Sequence, residues 1–147
     1  MPIVVADGGE RTTLRFAAQY ADASNVGAAS WAGHVFGPKD ARQKFDAIRR
    51  HCEQARRPYE AILRTALVGL FLSDSSGALQ AKMGQLPPEL MGFFEQLPIV
   101  GTPEEAVLRV RSLIEAGFQY VFFIILPFDR ETLQLTGERV IPALRAG

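Results

Sequence analysis

The stretch that decides the fold reads Ile3-Val4-Val5-Ala6, followed by Asp7-Gly8-Gly9. A short run rich in β-branched residues that stops at an Asp-Gly-Gly turn is typical of a buried parallel strand entering a tight connection. Apolar residues then recur at helical spacing over residues 10–21, at Leu14, Ala17 and Ala18. This change of period predicts a strand followed by a helix, which is one βα unit.

The same alternation continues along the chain. Further strands are predicted over residues 23–27, 67–72 and 120–126, and further helices over residues 41–56, 103–116 and 130–144. Alternating strands and helices form parallel sheets, with ligand sites at the carboxyl ends of the strands. The predicted fold class is therefore α/β, with four parallel βα units. They suffice for a small open sheet or for half of an eight-stranded barrel. One domain over residues 1–147 fits this length.

Two further segments carry local signals. Residues 102–105 read Thr-Pro-Glu-Glu, which combines an N-cap threonine, a proline at the first helical position and a glutamate at the third. Residues 87–97 are predicted to form a short helix begun by proline. This segment carries apolar side chains that need a partner surface: Leu90, Met91, Phe93 and Phe94.

Composition excludes several classes of function. Sixteen basic and sixteen acidic residues cancel, so neither nucleic acid nor an anionic membrane is an expected partner. The start of the chain does not resemble a signal peptide, and no apolar run approaches the roughly 20 residues that span a bilayer. The single cysteine, Cys52, cannot form an internal disulfide, which favours a cytoplasmic location. The two histidines, His34 and His51, have no partners at ligand spacing, so no metal site is expected.

Residues 3–14 and 18–26 resemble the luciferase-like monooxygenase family, especially its deazaflavin F420-dependent oxidoreductases. Residues 45–52 resemble the next helix of that family. Residues 100–107 and 116–118 resemble parts of its final βα segment. The resemblance follows the order of the family's segments over nearly the whole chain.

Only the second half of the family's pattern is matched. The resemblance therefore implies the C-terminal half of a (β/α)8 TIM barrel, and a truncated or split oxidoreductase of the monooxygenase type. The implied cofactor is F420, with FMN as the alternative. Much of the pocket around the cofactor ring comes from the N-terminal half of such enzymes, and that half has no counterpart here. The catalytic residues are accordingly unknown.

The candidate cofactor site lies at the turn after the first strand. Backbone amides at Gly8 and Gly9 and the start of the following helix could hold a phosphate, with Arg11 and Thr12 adding a guanidinium and a hydroxyl. The resemblance implies a cofactor phosphate near this turn. A tight βα connection without a ligand is the alternative, and the charge of Glu10 opposes an anion.

Polar residues also follow the second and third strands. Asn25, next to Ser24, lies where the resemblance implies the cofactor pocket, although a polar strand end that bonds its own loop is an equal alternative. Asp74 is interpreted as part of a solvated loop, and Cys52 as a small buried apolar residue.

The alternative function is a non-catalytic half-barrel that self-associates as a structural or binding domain. A four-stranded half-barrel has two unpaired edges and an open face that must be covered. A homodimer through the sheet edges, or through Leu90, Met91, Phe93 and Phe94, would cover them. Two copies of four strands could close eight strands into one barrel.

Overall fold

The computed structural model describes residues 1–27, 37–88 and 99–146. The strands are β1 (Val4–Ala6), β2 (Ala23–Gly27), β3 (Leu63–Leu72), β4 (Ile99–Gly101) and β5 (Tyr120–Ile124). The helices are α1 (Thr13–Tyr20), α2 (Pro38–Ala55), α3 (Ser76–Met83), α4 (Pro103–Glu115), α5 (Arg130–Leu135) and α6 (Ile141–Arg145). A short 3₁₀ turn, Tyr59–Ala61, precedes β3, and a π-helical segment, Thr136–Val140, joins α5 to α6. None of the described helices is long and apolar enough to cross a membrane.

The sheet is parallel in the pairs whose register is defined, which confirms the predicted α/β class. β1 pairs with β2, β2 with β3, and β3 with β4, all in parallel, and β5 also pairs with β3. The described residues contain five strands, one more than predicted. The additional strand, β4, has only three residues, so its sequence contains too little periodicity to separate it from the start of α4.

Several boundaries differ from the sequence predictions. β3 begins at Leu63, before its continuous apolar run, because its first residues pair with β2 and because the Arg64 carbonyl accepts the Gln119 amide just before β5. α3 was not predicted, and its apolar residues show almost no helical periodicity. The predicted helix over residues 87–97 lies largely outside the described residues, as do Leu90, Met91, Phe93 and Phe94.

The chain divides into two compact units. The first comprises residues 1–67 and 113–122. Its core lies where α1 packs on α2, and the small side chains of α1, Ala17 and Ala18, are fully buried there. Phe45 of α2 packs edge to face against Phe118, with ring centroids 4.8 Å apart. Gly117 has a positive φ of 113°, the conformation that ends a helix and that glycine adopts without strain.

The second unit comprises residues 68–112 and 123–147. Its core includes Phe71, Leu79 and Leu126, against which Met83 and Leu86 pack. The start of α4 is the predicted capping box. The Thr102 amide donates to Glu105 Oε2 at 2.7 Å, and the Glu105 amide donates to Thr102 Oγ1 at 3.4 Å.

The hydrogen-bond pattern near the end of the chain changes from α-helical to π-helical just before Pro142. Pro142 has no amide to donate to the preceding turn, so a regular α-helical pattern cannot be completed there. In the structure the Ile141 amide bonds the Thr136 carbonyl in a wide π turn, and helix continues through Arg145. The wide turn therefore accommodates Pro142 without ending the helix.

Candidate functional site

The turn after β1 is held by its own aspartate. Asp7 has a φ of 135°, a region that side-chain-bearing residues rarely adopt. Its Oδ1 accepts the Gly8 amide at 2.6 Å, and its Oδ2 accepts the Thr13 hydroxyl at 2.9 Å. Gly9 lies close to Thr13, since a Cβ at Gly9 would stand 3.1 Å from Thr13 Oγ1. The turn is therefore fixed between β1 and the first residue of α1.

Side chains of α2 hold the other side of this turn. Lys44 donates to the Gly8 carbonyl at 2.9 Å and to Glu10 Oε1 at 3.0 Å. Gln43 donates to the same Oε1 at 2.9 Å, and His51 Nε2 lies 2.7 Å from the Glu10 carbonyl. The hydrogen bond from Lys44 is the main cause of a lowered Glu10 pKa. The carbonyls of Gly8 and Glu10 and the Glu10 carboxylate are thus in contact with α2.

The groups left for an anion are the predicted Arg11 and Thr12. Both residues are exposed, and the Thr12 side chain does not cap α1. Among the described residues, no acceptor is hydrogen-bonded to the amides of Gly9, Glu10, Arg11 and Thr12. Several amides with a guanidinium and a hydroxyl form a donor set that fits a phosphate. The Gly8 amide, in contrast, is already used by Asp7.

Asn25 lies beside this turn but its amide group bonds within the sheet. Its backbone carbonyl accepts the Asp7 amide at 3.1 Å, which brings β2 next to the turn. Its Nδ2 donates to Thr65 Oγ1 at 2.7 Å, and Thr65 Oγ1 donates to the Ser24 carbonyl at 3.1 Å. Asn25 is buried, so its side chain ties β2 to β3. The Ser24 hydroxyl is also buried, with no hydrogen-bond partner among the described residues.

The second unit contains a polar cluster that no local sequence pattern predicts. Lys82 Nζ lies within 3.1 Å of four oxygen atoms, more than its three hydrogens can serve at full strength. They belong to the Leu72 carbonyl, the Thr132 hydroxyl and the carboxylates of Asp129 and Glu131. The Asp129 side chain is only 2% exposed. The cluster therefore joins α3, the end of β3 and the start of α5.

The Glu131 carboxylate has a second partner at the end of β3. The Ser73 hydroxyl donates to Glu131 Oε1 at 2.7 Å, and this hydrogen bond is the main cause of a lowered Glu131 pKa. Asp129 Oδ1 accepts the Thr132 amide at 3.0 Å, as an N-cap residue does. An aspartate just before a predicted helix was a readable signal, but nothing local marks Lys82 as its partner.

A cavity of about 310 Å³ opens beside this cluster. Phe71, Leu86, Pro87 and Phe128 form its apolar walls, and its polar lining is Lys82, Gln85 and Asp129. The hydrogens of Lys82 are already donated to protein oxygens, so the charge there is structural. Asp74, interpreted as a solvated loop residue, is exposed and pairs with Arg139 at 2.6 Å.

The fold is similar to that of a known group of solved structures. The chain has the parallel α/β fold of part of a luciferase-like TIM barrel, and its structural neighbours are F420- and FMN-dependent luciferase-like enzymes. No protein-family model matches the chain, and no curated protein sequence matches it.

Three solved structures illustrate the likeness. The coenzyme F420-dependent tetrahydromethanopterin reductase of Methanopyrus kandleri is 18% identical, with a TM-score of 0.69 over 98% of this chain and 51% of that one. An F420-dependent secondary alcohol dehydrogenase is 15% identical, with a TM-score of 0.71 over 99% and 49%. A riboflavin lyase with modified FMN is 15% identical, with a TM-score of 0.73 over 97% and 42%.

The chain thus spans about half the length of the structures it matches, or less. At these identities the likeness establishes the fold, and the resemblance in sequence adds the prediction that the matching part is the C-terminal half.

Proposed function

We propose that this chain is a half-length flavin- or deazaflavin-dependent oxidoreductase of the luciferase-like type, which keeps the cofactor-phosphate side of the barrel and works with a second half. One observation carries the proposal. Almost the whole chain superposes on about half of enzymes that use F420 or FMN. The donor set at the β1–α1 turn gives that half a group of side chains and amides with which to hold a phosphate.

The division of labour follows from the residues present. Arg11, Thr12 and the amides of residues 9–12 would bind the phosphate, and Asp7 and Thr13 would keep the turn in shape. When bound, F420 or FMN supplies the redox chemistry, which exchanges a hydride with an organic substrate. The partner half would complete the pocket around the ring. That half would also bind the substrate and contribute the catalytic residues.

Cofactor titration tests this proposal. F420 and FMN, each added to the pure protein, are expected to change cofactor fluorescence and to raise the melting temperature. At about 100 times Kd, the stabilisation amounts to about 2.7 kcal/mol, or about 6–10 °C for a chain of this size. No response to either cofactor at millimolar concentration contradicts the proposal.

A charge-matched pair of variants locates the site. Arg11→Ala is expected to weaken cofactor binding about 10- to 100-fold, since it removes charge-assisted hydrogen bonds to the phosphate. Arg15→Ala removes the same charge one turn further along α1, where Arg15 is exposed and lies over the Phe16 ring. Its effect should stay within about threefold. Equal losses in the two variants would argue against a phosphate at this turn.

The second candidate function is a non-catalytic, self-associating domain. Exposed apolar residues of the first unit favour it: Val4 of β1 is 54% exposed, and Tyr120 and Phe122 of β5 are 58% and 45% exposed. β1 also lies at an end of the strand order and has β2 as its only partner strand among the described residues. A homodimer through β1 and β5 would cover these side chains, which are exposed to water in an isolated chain.

A further inference from the structure

The phosphate turn contains a residue whose charge opposes its proposed ligand. Glu10 stands between Gly9 and Arg11, and an uncompensated carboxylate there would repel a phosphate. Asp7 places a second carboxylate in the same turn. With Arg11 as the only cation of residues 7–12, the turn by itself would carry a net negative charge.

The compensating cation comes from a different element. Lys44 of α2 bonds Glu10 Oε1 at 3.0 Å and the Gly8 carbonyl at 2.9 Å, and its side chain is only 16% exposed. Gln43 bonds the same carboxylate oxygen, and His51 lies against the Glu10 carbonyl. These contacts draw the negatively polarised atoms of the turn toward α2.

We propose that Lys44 is a positioning residue for the cofactor phosphate, an inference that rests on the proposed function. It cancels the charge of Glu10 and fixes the carboxylate and the Gly8 carbonyl on the α2 side. The charges of Asp7, Glu10, Arg11 and Lys44 then cancel as a group, and Arg11 keeps its guanidinium available for the ligand. Lys44 itself need not touch the phosphate.

Removal of the lysine charge tests the proposal in the full chain. Lys44→Met is expected to weaken the binding of F420 and FMN about 5- to 50-fold at low salt, because the uncompensated Glu10 carboxylate then repels the phosphate. The loss should shrink at high ionic strength, because salt screens the repulsion from Glu10. Lys44→Arg keeps the charge and should bind nearly as tightly as the wild type.

Rescue at Glu10 separates charge compensation from a merely structural role. The double variant with Lys44→Met and Glu10→Gln should regain affinity to within about threefold of the wild type, because the carboxylate is gone. Glu10→Gln alone should bind at least as tightly as the wild type, and this result does not depend on whether Lys44→Met folds.

Each failure has a distinct meaning. Three results overturn the role of Lys44 and leave the proposed function standing. They are wild-type affinity in folded Lys44→Met, a loss in Lys44→Met that Glu10→Gln does not restore, and weaker binding in Glu10→Gln alone. No binding by the wild-type chain overturns the proposed function and the role of Lys44 together.

Discussion

Asp7 combines an unfavourable backbone conformation with two hydrogen bonds that require its carboxylate. At a φ of 135° a side chain costs conformational energy that glycine does not pay. The bonds to the Gly8 amide and the Thr13 hydroxyl hold the turn despite that cost. The residue is thus better explained by the local structure of the turn than by a ligand.

Substitutions at Asp7 should separate the two effects. Asp7→Ala keeps the strain and loses both bonds, so it should lower the free energy of unfolding by about 2 kcal/mol. Asp7→Gly loses the bonds but relieves the strain, and about 1 kcal/mol is expected. Asp7→Asn keeps the acceptor for Gly8 and should cost less than either. Urea unfolding measures the series, with the exposed Asp46→Ala as a control expected within about 0.5 kcal/mol of the wild type. Asp7→Ala as stable as Asp7→Asn would refute this account.

At the scale of elements, α1 and α4 each have a threonine at the N-cap, but only one of the two threonine side chains makes a capping hydrogen bond. Thr102 takes part in a reciprocal capping box with Glu105, whereas Thr12 makes no capping bond to α1. Thr102→Ala should therefore cost about 1 kcal/mol, and Thr12→Ala much less. The two variants remove the same atoms from the same kind of position, and thermal or urea unfolding compares them directly. Equal costs would mean that the capping bonds of Thr102 contribute nothing to stability.

Sequence reasoning succeeded where the signal is local. The capping box at Thr102 and the alternation of strands and helices both depend on residues close together in the chain. β4 was missed because three residues pair with a distant part of β3, and α3 because its apolar residues lack a helical period. Such elements are stabilised by tertiary contacts that no local pattern contains.

The candidate site divides in the same way. Gly8, Gly9, Arg11 and Thr12 could be proposed because they share one turn, and their ligand role stays a prediction. The contacts of Lys44 with this turn and of Lys82 with Asp129 join residues far apart in sequence. A single sequence holds no record of such pairs. Only tertiary packing shows that Lys44 lies against Glu10 and compensates its charge.

At the scale of the whole molecule, self-association depends on which strands have unpaired edges. The expectation of a closed barrel rested on two copies of four strands, and the described residues contain five strands. The four strands that the sequence predicts correspond to β1, β2, β3 and β5, and β4 is a three-residue addition that pairs with β3, so a barrel closed by two copies stays a prediction. The exposed apolar surface of β1 and β5 still favours association, because water-exposed aromatic and β-branched side chains on a sheet edge promote pairing.

Sedimentation velocity tests this association with the chain as it is. The 16.2 kDa chain is expected to sediment at micromolar concentration as a species of about twice that mass. Val4→Lys and Phe122→Lys should each shift it to the monomer, because a charge on the contact surface must be desolvated on pairing. Leu108→Lys is the matched control, since Leu108 is 67% exposed on α4 and lies outside β1 and β5. A wild-type monomer at about 100 μM, or a dimer unaffected by both strand variants, would rule out this surface as the interface.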